Sequence, residues 1–121
     1  MIKTKGLTHL HLMVKDVQRS LKFYKSVFGM EEQFWGTPEL VFLQTPGSND
    51  LIALHQAEDG ASTGVSGGIL HFGFALTDDQ TLDAAITEVL AAGGTLKKRG
   101  EFRPGLPFAY VRDPDGYEIE L

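Results

Sequence analysis

The chain contains no cysteine, which excludes a disulfide framework, a thiolate metal site and a cysteine nucleophile. It has no apolar run near the ~20 residues of a membrane span and no signal-peptide pattern at its amino terminus. The expectation is a cytoplasmic protein that makes no use of a membrane. Basic charge is scarce as well: 11 Lys and Arg against 16 Asp and Glu leave a net charge of −5. The single dense basic run, Lys97-Lys98-Arg99, reads as solvated surface, so a nucleic-acid partner is not expected. The remaining composition, 42% apolar and 22% charged over 121 residues, is that of one ordinary globular domain.

Hydrophobic periodicity divides that domain in two. Leu7 to Val14 alternates as a strand, and Asp16 can cap a helix whose apolar stripe is Val17, Leu21, Tyr24 and Phe28, stopped by Gly29. Strands are expected at Glu31–Trp35, Leu40–Gln44 and Leu51–His55, separated by Gly- and Pro-bearing breaks. A glycine-rich stretch at about 59–68 reads as a mobile linker. The pattern then restarts, with a strand at Ile69–Leu76, a helix capped by Asp78 with the stripe Leu82, Ile86, Val89 and Leu90, and strands near Thr95–Gly100 and Phe108–Arg112. Asp113-Pro114-Asp115-Gly116 suits a type I turn closed by glycine, leading into a last strand at Tyr117–Leu121.

The restart is an internal repeat. His9 precedes Asp16 by seven residues, and His71 precedes Asp78 by seven. The last strands align as Leu51-Ile52-Ala53-Leu54 with Glu118-Ile119-Glu120-Leu121, so Ala53 stands where Glu120 stands in the second half. The expected fold is α+β: two βαβββ modules, about 1–58 and about 69–121, forming a curved mixed sheet with the helices outside.

Strand phase then sorts the faces. Leu10, Leu12, Val14, Ile52, Leu54, Leu70, Phe72, Phe74, Leu76, Ile119 and Leu121 fall in a core phase. The opposite phase holds His9, His11, Ala53, His55, His71, Gly73, Ala75, Glu118 and Glu120, and so takes in all 4 histidines of the chain. With this phase turned inward it lines a polar cleft. Two histidines and a glutamate meeting there would make a three-ligand set for Fe, Mn, Ni, Co or Zn.

The chain resembles the vicinal oxygen chelate superfamily, which includes glyoxalase I, extradiol dioxygenases, fosfomycin-resistance proteins and bleomycin-resistance proteins. The resemblance rests on His9-Leu10-His11-Leu12-Met13-Val14-Lys15-Asp16, the helix run Leu21-Lys22-Phe23-Tyr24-Lys25-Ser26-Val27-Phe28-Gly29, Leu70-His71-Phe72, and Asp113-Pro114-Asp115-Gly116-Tyr117-Glu118-Ile119-Glu120. It implies paired βαβββ modules around a divalent metal that binds a small oxygen-rich substrate through two oxygens. Carried over residue by residue, the metal ligands fall on His9, His71 and Glu120. His11 becomes a residue that supports a ligand or faces the substrate, although steric reasoning alone leaves His9 and His11 as alternatives. His11, Ala53, Gly73 and Glu118 line the substrate cleft. The fourth ligand position, a glutamate in glyoxalase I, falls on Ala53, which cannot coordinate.

That departure leaves the two-histidine, one-carboxylate set of extradiol dioxygenases and fosfomycin thiol transferases, with dioxygenase chemistry slightly ahead of lyase or isomerase chemistry. Tyr110, ten residues before Glu120, matches a tyrosine near the metal in both groups. Tyr110 and His55 are the candidate proton carriers. The loop Arg99–Leu106 lacks the serine- and asparagine-bearing segment of a fosfomycin enzyme. The competing class is a metal-free sequestering protein of bleomycin-resistance type, against which the ligand set argues. The resemblance also implies a homodimer.

Overall fold

The computed structural model describes residues 1–65 and 67–121. Ser66, within the expected linker, lies outside the described residues. The chain forms two compact units, Met1–Asp59 and Gly60–Leu121. Each carries one helix and one four-stranded mixed sheet.

Unit one runs β1 (Leu10–Val14), α1 (Val17–Phe28), β2 (Glu31–Thr37), β3 (Leu40–Gln44) and β4 (Ile52–Gln56). The strand order is β1-β4-β3-β2, with β1 parallel to β4 and the other pairs antiparallel. The helix begins where Asp16 accepts hydrogen bonds from the backbone N–H groups of Gln18 and Arg19, and it ends at Gly29, which takes φ 62° in the left-handed region. Its buried face is Val17, Ser20, Leu21, Phe23 and Tyr24. That face belongs to a core with Leu12, Val14, Val41, Leu43, Ile52 and Leu54. Phe23 supplies the aromatic bulk the stripe assigned to Phe28, which is only half-buried.

Unit two repeats the plan with β5 (Phe72–Gly73), α2 (Leu82–Ala91), β6 (Thr95–Arg103), β7 (Leu106–Arg112) and β8 (Glu118–Glu120). Its order is β5-β8-β7-β6, again with the first strand parallel to the last. The α+β architecture of two βαβββ modules is therefore as the sequence predicts. Ile86, Val89, Phe108, Ala109, Val111 and Ile119 are the buried apolar residues on these elements.

Two local expectations are corrected. The strand expected over Ile69–Leu76 contracts to two residues, because the strand it pairs with, β8, is itself three residues long. Leu70 is 72% exposed, and Phe72 and Phe74 are half-buried. The second helix is capped by Thr81, whose hydroxyl accepts from the Ala84 N–H, and not by Asp78. Asp78 and Asp79 are the middle of a turn closed by Gln80 N–H donating to the Thr77 carbonyl at 3.0 Å. The helix cannot start until that turn has ended.

Thr63 and Gly64 of the expected linker are held within unit two. Thr63 Oγ1 donates to Asp115 Oδ1 at 2.9 Å. A Cβ on Gly64 would meet the Asp115 carbonyl oxygen at 2.6 Å, so only glycine fits there.

Candidate functional site

Register assigns the chemistry-bearing residues to one face of each sheet. In unit one His11 lies opposite Ala53, and Ala53 lies opposite Phe42, so all three share a face. His55, two residues after Ala53, joins them. His11 Nε2 and His55 Nδ1 share a hydrogen bond at 2.9 Å, one ring donating and the other accepting. Partial burial first, then the nearby His55 and His9 imidazoles, hold His11 below its ordinary pKa. His9 sits just before β1, with Nδ1 2.7 Å from the Thr8 hydroxyl and its ring edge-on to Phe42 at 6.3 Å. Ala53 is fully buried, packed in register between His11 and Phe42.

In unit two the corresponding row is Gly73 opposite Glu120 and Glu120 opposite Tyr110. Gly73 follows His71 by two residues, as His11 follows His9, so Ala53 and Glu120 occupy equivalent places in their sheets. A Cβ on Gly73 would lie 3.1 Å from the Glu120 carbonyl oxygen; glycine here permits the close approach of β5 and β8. His71 Nε2 is 2.9 Å from Glu120 Oε2, with the two side chains 30% and 27% exposed. The His71 and Tyr110 rings lie 5.0 Å apart.

Glu118 shares the phase of Glu120 but has a different role. Both of its oxygens accept from Lys97 Nζ, at 2.9 and 2.8 Å, and Arg112 stands 3.9 Å away. The carboxylate is buried and engaged in holding β6 to β8. The hairpin that delivers β8 is set by Asp113, whose Oδ1 accepts from the N–H groups of Asp115 and Tyr117, both at 2.9 Å. Gly116 N–H closes the turn on the Asp113 carbonyl at 3.0 Å, with φ 91° at Gly116.

The donor chemistry of His71 and Glu120 fits a divalent ion. Two ligands at right angles on an ion, each bonded at ~2.1 Å, lie about 3 Å apart, which is the spacing of this pair. Among the described residues no group of three or more His, Cys, Asp or Glu is gathered as a metal-binding cluster, so unit two by itself supplies two donors.

Sequence reasoning missed the aromatic strip beyond Tyr110. Phe108 lies 5.1 Å from Tyr110, and Phe102 lies 4.5 Å from Phe108. Phe108 was visible in the Tyr110 phase. Phe102 was hidden because the β6–β7 register shifts between Glu101 and Arg103, which breaks a count by twos.

A repeated βαβββ unit, with imidazole and carboxylate side chains on one sheet face, defines an α+β protein of the paired-module class. The Glyoxalase/Bleomycin resistance protein/Dioxygenase superfamily model matches residues 6–121, and the chain belongs to that family. It is 30% identical over 123 residues to a lactoylglutathione lyase of Arabidopsis thaliana, covering 93% of this chain but only 42% of that protein. It is 29% identical over 119 residues to the metallothiol transferase FosB of Shouchella clausii, covering 96% of this chain and 78% of the relative. The same fold occurs in the fosfomycin resistance protein FosX of Listeria monocytogenes, with TM-score 0.78, 22% identity and coverage of 98% and 93% of the two chains. The two sequence relatives are a lyase and a transferase, and the dioxygenase preference drawn from the ligand set gains no support from them. No helix among the described residues is long and apolar enough to cross a membrane.

Proposed function

We propose that the chain is a divalent-metal-dependent enzyme acting on a small molecule that presents two adjacent oxygens, with lyase or transferase chemistry. The observation that carries this reading is the His71–Glu120 pair at 2.9 Å, set beside Tyr110 on one sheet face. In this proposal His71 Nε2 and Glu120 hold the ion, and His9 is the third ligand that the family resemblance implies. The Thr8 hydroxyl, 2.7 Å from His9 Nδ1, can accept from Nδ1–H and leave Nε2 free, the arrangement by which metal-bound histidines are commonly oriented.

When bound, such an ion acts as a Lewis acid toward the substrate oxygens. The chain's own residues do the rest. Tyr110 supplies a phenol next to His71 that can give or take a proton at the substrate. Gly73 leaves room over Glu120. The His11–His55 hydrogen bond can hold one proton between two ring nitrogens, which makes His55 the second candidate proton carrier. Lyase and transferase chemistry is placed ahead of O₂ chemistry because the lactoylglutathione lyase and metallothiol transferase relatives align over nearly the whole chain. The missing carboxylate at Ala53 sets the chain apart from the four-ligand arrangement expected of glyoxalase I.

The test is metal binding by calorimetry on untagged protein. About one ion per chain is expected, and His71→Ala is expected to weaken binding by about tenfold or more. Equal affinity in wild type, His9→Ala and His71→Ala would remove the assignment. The proposal includes a homodimer, motivated by edge strand β2, on which Phe34 and Trp35 are exposed. A monomer mass in light scattering at assay concentration would remove that part.

A further inference from the structure

Unit one carries a donor set of its own. On β1, Leu12 and Val14 are buried, and the alternate positions His11 and Met13 face the other way together. Met13 lies opposite His55 on β4, and His11 lies opposite Ala53. Two imidazoles and a thioether therefore share one patch of the sheet. His11 Nε2 and His55 Nδ1 are already 2.9 Å apart, about the separation of two ligands on one ion. The other register positions around the two rings are Ala53, Leu40 and Phe42, and none of them is charged. Met13 is 37% exposed, His11 is exposed and His55 half-buried, so the donors can be reached from water and can turn. The repeat shows that the fold does not ask for them: Gly73 and Ala75 stand in unit two where His11 and Met13 stand in unit one.

We propose that His11 Nε2, Met13 Sδ and His55 Nδ1 form a copper(I) site, which uses none of the donors assigned to the His71–Glu120 ion. Donor chemistry selects the metal. Imidazole and thioether are neutral, and the sulfur is soft, a combination that suits the singly charged cuprous ion. The imidazole and carboxylate of unit two suit a harder, doubly charged one. The uncharged surround acts in the same direction, because nothing in it offsets a second positive charge. With no cysteine in the chain, no thiolate competes for the ion. Binding requires no net loss of a proton. Each neutral ring keeps one N–H and carries it on the nitrogen turned away from the ion, Nδ1 in His11 and Nε2 in His55. The ion and the hydrogen bond between the rings exclude one another, since both use the same two nitrogens.

The test is copper(I) binding to untagged protein, kept anaerobic with ascorbate and competed with bicinchoninate. Wild type is expected to hold about one copper(I) per chain. Met13→Leu conserves volume at an exposed position, so the fold is not at risk. It is expected to weaken binding by about tenfold or more, as are His11→Gln and His55→Gln, each by removing one of three ligands. His71→Ala is expected to leave the copper(I) affinity unchanged. X-ray absorption at the copper edge should show one sulfur and two nitrogen neighbours, with the sulfur lost in Met13→Leu. Unaltered affinity in Met13→Leu, or a sulfur neighbour that survives it, would overturn the site. Loss of copper(I) in His71→Ala would overturn it too, because the ion would then belong to unit two. Zinc binding indifferent to both His9→Ala and His71→Ala would remove the proposed function and leave the copper site standing.

Discussion

His11 and Glu118 both fall in the cleft phase of their strands, yet their surroundings give them different chemistry. Glu118 is buried with its charge neutralised by Lys97, whereas His11 meets another imidazole and is held below its ordinary pKa of 6.5. A base whose pKa is lowered by folding binds its proton more readily in the unfolded chain. The stability it contributes is therefore complete above 6.5 and is lost as pH falls through the lower folded value. The melting temperature of metal-free protein should drop more between about pH 7 and about pH 5 in wild type than in His11→Gln. Parallel declines in the two proteins would show that His11 carries no linkage of this kind. The effect should be small, because His11 remains exposed to water.

At the scale of elements, the two helices show what a sequence can and cannot disclose. Asp16 and Gly29 were legible because each satisfies the orphan backbone groups of its helix end without help from elsewhere. Asp78 looked equally good by spacing, but Thr77, Asp79 and Gln80 form a competing turn with its own hydrogen bonds, and the cap passes to Thr81. Thr81→Ala should cost about 1 kcal/mol, and Asp78→Ala less than about half of that. Denaturant midpoints with the reverse order would restore the capping role to Asp78. The strand ahead of this helix was over-read for a different reason. Apolar alternation from Leu70 to Leu76 satisfies a strand pattern, but a strand extends only as far as a neighbour accepts its hydrogen bonds. The place of Glu120 opposite Gly73 was legible through the repeat and Tyr110 was singled out by the family resemblance, while Phe102 lies beyond a bulge that no counting rule anticipates.

For the whole molecule, the repeat is the governing fact, and register supports it more closely than pattern could. His11 opposite Ala53 and Gly73 opposite Glu120 are the same pairing in two sheets. The halves have diverged by exchanging side chains at matched places: imidazole with glycine on the first strand, alanine with glutamate on the last. In both halves the first strand lies at the end of the strand order and has a single neighbour. The proposed histidine ligands His9 and His71 therefore sit just before an edge strand of each sheet. In unit two the attachment is the two-residue pairing of β5 with β8, extended by Phe74 N–H donating to the Glu120 carbonyl at 2.9 Å. Such a strand can peel away while β6, β7 and β8 stay zipped. The Phe74 amide should accordingly exchange with deuterium well before that of Val111. Identical exchange of the two amides would mean that β5 opens only when the whole unit does. In kinetic terms, the working lifetime of a site mounted this way is set by the fraying of one short strand, so activity could be lost, and regained, far below the temperature at which the protein melts.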